Sequence, residues 1–438
     1  MKRSLLLVLL AALILLCACA APAPSESVQT PPEDAQTEEA EPQQYTLSFV
    51  GDCTLASSQF HRSSPYSFSA VIGDDMARPF AGTAAYFQND SLTVANLECT
   101  LTDSSAAPSG LFGFAADPAY VGVLTAGGVD MVTIANNHSR DFGAAAYAQT
   151  GQTLDDAGIA WAGENEWTLV TTQDRLTIGL YCTGANLSPA IEPCLAALQE
   201  MRAAGAELCV VLPHWGTEGS YRPNTAQRAF AEAAAAGGAD LIIGSHPHVL
   251  QPVEECGSAL VAYSLGNYVF GGNTNPRDHD TAILQVTYTR QDDGTLARTD
   301  VTRIPCSLSG VSNRNDYSPV PYDADSTEAA RVLSKLDGSF TGANLVIDYT
   351  PYLQPDESDA SAQPDGSSEA EQPDVPSQPD TSDTSDASNA TDTSDTADAS
   401  DSSDAPEPAV PEPAAPDVSA ETPQSTTPAE SAGGGDAG

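Results

Sequence analysis

The sequence predicts a layered α/β domain over residues 45–353, bounded by two acidic segments with no fold of their own. Short apolar runs alternate with helix-patterned stretches throughout 45–353. Several of these runs end in histidine, asparagine or a carboxylate, as expected where strands of an α/β sheet deliver side chains to one rim. Outside this region large apolar side chains almost vanish and Pro, Ser, Thr, Asp and Glu replace them, a composition that buries too little surface to fold.

Residues 1–19 have the pattern of an export signal. Lys2 and Arg3 precede an apolar stretch from Leu5 to Leu16, too short to span a bilayer but suited to a signal-peptide core. Leu16-Cys17-Ala18-Cys19 resembles a bacterial lipobox, with Cys19 expected to be lipidated and to become the mature N-terminus. The expected location is the outer face of the bacterial cytoplasmic membrane, held by a lipid anchor, or the exterior if the lipobox is not used. Residues 20–44 then form an acidic linker spanning roughly 30 Å if flexible.

Within the domain, strands are expected at residues 45–50, 91–95, 129–135, 176–181, 207–212, 240–243, 259–264, 282–288 and 297–304. Helices are expected at 118–126, 144–157, 191–204 and 225–236, the last opened by Asn224 as N-cap and closed by Gly237-Gly238. Strands followed by helices argue for the layered α/β arrangement, and the run of strands across 259–304 suggests an added antiparallel section. After Leu353 a Ser/Asp/Pro-rich acidic tail fills 354–438, with Thr-Ser-Asp repeated between Thr381 and Asp404.

The net charge of -44 lies largely outside the domain: residues 20–44 carry six acids, 356–438 carry twenty-one, and neither segment has a Lys or Arg. The middle keeps 33 acids against 14 bases, a balance that repels polyanions and excludes nucleic-acid binding. Seven cysteines follow the signal region without CxxC spacing, so a disulfide scaffold is not expected. Cys53 and Cys99, each next to a candidate metal-binding acid, read as small buried side chains.

Chemistry concentrates at the ends of the apolar runs. Four of the six histidines, His138, His214, His246 and His248, sit there, and two further runs end in Asp52 and Glu98. Carboxylates, an amide and imidazoles are the ligands that a pair of divalent metals would take. Asp52 and Glu98 supply anionic ligands, His214, His246 and His248 supply ring nitrogens, and Asn137 supplies an amide oxygen. His138, left free, suits protonation of a leaving group. Trp215 is expected to pack beneath the site, and His61, in no motif, receives no role.

Gly51-Asp52, Asn96-Leu97-Glu98, Asn136-Asn137-His138, His214-Trp215-Gly216-Thr217-Glu218, Ser245-His246-Pro247-His248 and Ser264-Leu265-Gly266-Asn267, in that order, resemble the CapA family. That family is associated with poly-γ-glutamate capsule synthesis and is similar in fold to calcineurin-like metallophosphoesterases. The resemblance runs from about Tyr45 to Phe270 and more weakly to about Tyr349. It implies a metallophosphoesterase-like sandwich holding one or two divalent ions, Mn, Zn, Fe or Mg. Asp52 matches the first acid of the phosphoesterase pattern and Glu98 takes the place of its bridging aspartate. Asn137 and His138 match its Asn-His pair, and His214, His246 and His248 its later histidines. Glu218 is expected to orient a metal ligand or bind substrate, and Asn267 to support the ligands from behind. The departure is Thr54, where phosphoesterases usually carry a metal-binding histidine.

The expected function is a cell-surface, metal-dependent hydrolase of capsule or envelope polymer metabolism, acting on a phosphoester or an amide-like bond. The alternative is a non-catalytic tether or export factor that holds an anionic polymer through bridging cations. A third reading, a solute-binding lipoprotein, leaves the histidines unexplained. The partners implied are an anionic surface polymer or its synthase and export proteins, and the membrane through the lipid anchor.

Overall fold

A computed structural model describes residues 42–353 of the chain. The signal segment with Cys19, the linker up to residue 41 and the tail from residue 354 lie outside the described residues. No helix among the described residues is long and apolar enough to cross a membrane.

In chain order the elements are β1 (Gln44–Thr54), α1 (Phe68–Ile72), β2 (Leu92–Leu97), β3 (Thr100–Leu101), β4 (Ala115–Ala116), α2 (Val121–Gly127), β5 (Met131–Thr133), α3 (Gly143–Ala157) and β6 (Ala160–Ala162). There follow β7 (Glu166–Thr171), β8 (Thr177–Thr183), α4 (Ile191–Ala203), β9 (Leu208–Pro213), α5 (Thr225–Ala236), β10 (Leu241–Ile243), β11 (Val253–Cys256) and β12 (Ala259–Ala262). The last are β13 (Asn267–Phe270), β14 (Asp280–Arg290), β15 (Leu296–Ser307), β16 (Val320–Pro321) and α6 (Thr327–Leu336).

Two mixed sheets result. One has the order β16-β15-β14-β1-β2-β5-β6, with β13 added beside β1; the other has the order β11-β12-β10-β9-β8-β7. Alternation along the strands makes four layers. Leu47, Leu92 and Val94 of the first sheet meet Leu180, Val210, Leu212 and Leu241 of the second in a shared core. The far face of the first sheet buries Ala95, Leu97 and Val132 under Val123, Leu124 and Leu154 of α2 and α3. The far face of the second buries Cys209, Val211 and Ile242 under Leu198, Met201 and Phe230 of α4 and α5. This α/β sandwich is the layered architecture that the sequence predicts.

Several details differ from expectation. Residues 259–262 belong to the second sheet, parallel to β10, and the antiparallel addition is the β14–β15 hairpin. The helix expected from residue 118 opens as a 3-10 turn, Pro118–Tyr120, before α2. Strands β3, β4, β6, β7, β11, β13 and β16 and helices α1 and α6 were not anticipated. Short strands such as Glu166–Thr171, only half-buried, carry little apolar alternation, and their pairing partner decides them.

At β1 the backbone itself aims the site. Phe49 packs between the sheets, yet both Val50 and Cys53 pack on the opposite face, so the in-out alternation slips by one residue. The slip coincides with a register shift between Phe49 and Asp52 against β2. Gly51 permits it, since a Cβ there would stand 1.9 Å from the Gly266 carbonyl oxygen, and Asp52 donates its N–H to that same oxygen at 2.9 Å.

Candidate metal centre

The site forms where β1, β2, β5, β9 and β10 end. Asn96 continues the inward-facing series Leu92, Val94, and His214 continues Leu208, Val210, Leu212, so both extend the inter-sheet core to its polar rim. His246 and His248 follow β10 on a turn with φ of 97° and 56°, a left-handed backbone that costs about 1–3 kcal/mol per non-glycine residue. Its surroundings hold it there. Gly219 donates to the Pro247 carbonyl at 2.8 Å, His246 N–H to Asp52 Oδ2 at 3.4 Å, and Asn267 Nδ2 to the His248 carbonyl at 3.2 Å.

The structure brings the sequence-expected residues together in three overlapping groups: Glu98 with His214 and His246, Asp52 with Glu98 and His248, and Glu218 with His246 and His248. Within each group the ligand atoms lie within 4.8 Å of one another. Glu98 Oε1 is 3.5 Å from His214 Nε2 and 3.8 Å from His248 Nε2, and His248 Nδ1 is 3.2 Å from Asp52 Oδ2. Asn137 Oδ1 stands 2.7 Å from His214 Nε2, while Ser245 Oγ is 2.8 Å from the Nδ1 of that ring. Asn267 Oδ1 is 2.9 Å from His248 Nδ1, placing it behind that imidazole. Thr54, at the departure from the phosphoesterase pattern, is buried with its hydroxyl unpartnered.

Burial dominates the electrostatics. It drives His214 down to about 3 and His246 to about 2, keeping both imidazoles neutral with lone pairs to offer. Glu98 is pushed up to about 8, burial outweighing the favourable charge of His248. His248 rises to about 10, because the charges of Glu98 and Asp52 and a hydrogen bond to Asp52 outweigh its burial.

The residues fit a divalent cation. Both oxygens of buried Glu98 and Nδ1 of buried His246 have no hydrogen-bond partner. Unpartnered buried polar atoms are strongly disfavoured unless something else satisfies them. Carboxylate with imidazole is a donor set suited to first-row divalent metals.

His138 stands apart from the ligand groups. Its Nδ1 lies 2.8 Å from Asp141 Oδ2, which also accepts from the Phe114 N–H at 3.1 Å, and the Phe114 ring packs edge-on against the imidazole. Burial would lower the His138 pKa, but the Asp141 hydrogen bond and the charge of Glu98 raise it. His138, His248, Glu218 and Asn267 line a cleft of about 350 Å³. His61 lines the same cleft, a placement its surroundings in sequence did not announce.

Supporting residues were harder to foresee. Asn96 donates to Asp52 Oδ1 at 2.8 Å and accepts from Asn136 at 3.0 Å, tying three strand ends together. Asp141 was signalled only by its place three residues after His138. Trp215 is buried in the core between the second sheet and its covering helices, donating to the Tyr263 carbonyl at 2.8 Å. Cys53 and Cys99 are buried free thiols, and the same is true of Cys182, Cys194, Cys209 and Cys306.

Known proteins share this sequence pattern. The chain is 30% identical over 223 residues to the PGA biosynthesis protein CapA of Bacillus subtilis, covering 46% of this chain and 55% of that one. It is 29% identical over 231 residues to the capsule biosynthesis protein CapA of Bacillus anthracis, covering 48% and 54%. The chain thus spans about half the length of the curated relatives it matches. Among solved structures, the NAD nucleotidase of Haemophilus influenzae matches at 11% identity and a TM-score of 0.35, covering 68% of this chain and 63% of that one, a likeness from which nothing about activity follows. The family described as bacterial capsule synthesis protein PGA_cap matches residues 46–272, more than half of the chain and a span that includes all the residues expected at the metal centre. The chain belongs to this capsule synthesis family.

Proposed function

We propose that the protein is an exported, metal-dependent hydrolase of capsule or envelope polymer metabolism, with Asp52, Glu98, Asn137, His214, His246 and His248 holding one or two ions of Mn, Zn, Fe or Mg. The observation that carries this reading is the convergence of buried, unpartnered Glu98 oxygens and His246 Nδ1 beside a cleft. A bound divalent ion supplies Lewis acidity toward a phosphoryl or carbonyl oxygen. The chain's own residues do the rest. Asp141 orients the His138 ring and favours its charged form, so that the imidazole can hold a proton for a departing group. Phe114 packs against that ring, and Asn267 fixes His248 from behind. The names of the Bacillus relatives support a capsule polymer, poly-γ-glutamate or a related chain, as the material served, with its synthase or export proteins as partners.

The signal pattern ending at Cys19 supports export and lipid anchoring, with 20–44 as linker and 354–438 as tail. A screen of phosphoesters and γ-glutamyl polymers with Mn, Zn or Mg tests the catalytic reading. Turnover that His138→Ala reduces by about 10²–10⁴ supports it. No turnover with any metal-loaded sample overturns it.

Thr54 favours the second reading, a metal-bridged polymer tether. A buried hydroxyl stands where the phosphoesterase pattern has an imidazole, leaving one metal position with fewer strong ligands. Polymer binding abolished by chelator, without hydrolysis, would establish that function instead.

A further inference from the structure

Residues 340–352 form a strap across the turn that carries Glu218. Arg222 donates to the Phe340 carbonyl at 3.1 Å and the Gly342 carbonyl at 3.2 Å. The Tyr221 N–H donates to Asn344 Oδ1 at 3.1 Å, and the Leu345 N–H to the Gly219 carbonyl at 2.9 Å. Gly219 in turn donates to the Pro247 carbonyl, so the 217–219 turn is held between the strap and the His246–His248 turn. Glycine is required there: φ is 73°, and a Cβ would stand 2.7 Å from the Leu345 carbonyl oxygen.

Further along the strap, the Tyr349 hydroxyl donates to Glu218 Oε2. Glu218 also offers a ligand atom within 4.8 Å of those of His246 and His248. One carboxylate therefore connects the strap to one end of the histidine cluster. Leu345, Ile347, Tyr349 and Tyr352 meanwhile form a wall of the cleft above it.

We propose that Glu218 is a ligand at one cation position together with His246 and His248, that Tyr349 is its positioning residue, and that cation binding and strap docking are linked. A carboxylate already held by a phenol loses less freedom on ligation, and such outer partners are worth about 10–100-fold in metal affinity. Linkage is reciprocal, so the cation stabilises the docked strap by the same factor. The cleft wall and this metal position are thus completed together.

The inference rests on reading the cluster as a metal centre. Its test is Mn²⁺ titration calorimetry on the full chain, comparing wild type with Tyr349→Phe, Glu218→Gln and, as a control on an exposed phenol away from the cleft, Tyr66→Phe. Limited chymotrypsin digestion, read at residues 349 and 352 with and without Mn²⁺, is run in parallel. Expected are about tenfold weaker Mn²⁺ binding in Tyr349→Phe and Glu218→Gln but not in Tyr66→Phe, and Mn²⁺ protection of the strap in wild type that both cleft variants lose. Wild-type Mn²⁺ affinity in Tyr349→Phe, with strap cleavage indifferent to Mn²⁺, overturns the linkage and leaves the metal centre standing. A wild-type chain that binds no Mn²⁺ overturns both.

Discussion

Asn96 donates its side-chain amide to Asp52 at 2.8 Å, joining the ends of two adjacent parallel strands at the point where β1 slips its alternation. Asn136 completes the link by donating to the Asn96 oxygen at 3.0 Å. The Asp52 carboxylate therefore has one oxygen held by Asn96 while the other faces His248. Removing the amide should loosen a ligand without removing it. Asn96→Ala is expected to weaken Mn²⁺ binding by about 10–100-fold, read by calorimetry, and to destabilise the fold by about 1–3 kcal/mol through the unpaired groups it leaves. Unchanged affinity would show that Asp52 needs no such support.

The His138–Asp141 pair should separate chemistry from metal binding. His138→Ala and Asp141→Asn are expected to leave Mn²⁺ affinity near wild type, since neither residue belongs to the clustered ligand groups. On any substrate that the wild type cleaves, His138→Ala should lower kcat by about 10²–10⁴. Asp141→Asn should also lower it and move the alkaline limb of the rate profile to lower pH. Tighter or weaker metal binding in His138→Ala would place this imidazole among the ligands instead.

At the edge of the cleft, where Asp278 forms part of the lining, Asp280 links acid stability to the buried end of α6. Lys335 Nζ lies 2.7 Å from Asp280 Oδ2 and 2.7 Å from Asp278 Oδ2, and Arg331 donates twice to Asp280 at 2.7 Å. Burial alone would raise the Asp280 pKa, but hydrogen bonds and charge from Arg331 and Lys335 lower it below the ordinary 3.8. A carboxyl depressed on folding contributes stability above its unfolded pKa and loses that contribution as pH falls through the folded value. Urea midpoints should therefore decline for wild type below about pH 4, and Asp280→Asn, weaker at neutral pH, should decline less steeply. Parallel curves for the two proteins would disprove the assignment.

Glu98 should show a trade between stability and ligand binding. Its two buried oxygens lack donors, so the metal-free fold carries their desolvation. Glu98→Gln is expected to raise the melting temperature of chelator-treated protein and to abolish the rise produced by added Mn²⁺. In wild type that rise should correspond to about 2.7 kcal/mol at a hundred times Kd. Equal Mn²⁺ stabilisation in both proteins would remove Glu98 from the ligand set.

Much of the fold was legible because burial on both faces leaves a mark in composition. The runs Leu208–Leu212 and Leu241–Ile243 are continuously apolar and became β9 and β10, and those ending at Val50 and Ala95, broken only by small hydroxyl residues, became β1 and β2. The strand Asn267–Phe270 is buried too, but it begins at a motif asparagine immediately after the Ser264–Gly266 turn, and four residues are too few to show a period. Helix Thr327–Leu336 has helical spacing of Ala329, Val332 and Leu336, but Lys335 shares that buried face, a placement explained only once Asp278 and Asp280 are brought against it.

By itself the sequence determined which donor groups are delivered to the rim of the sheets, Asp52, Glu98, His214, His246 and His248, and which family carries those motifs in that order. Residue type and strand position are local properties, and they survive in a linear reading. Only the tertiary structure decided the partnerships. The slip at Gly51 that turns Asp52 inward depends on the Gly266 carbonyl, and the hold on Glu218 depends on Tyr349, 131 residues away. Such contacts exist only after the chain has closed on itself, because nothing in the neighbouring residues specifies which distant backbone or side chain will stand there.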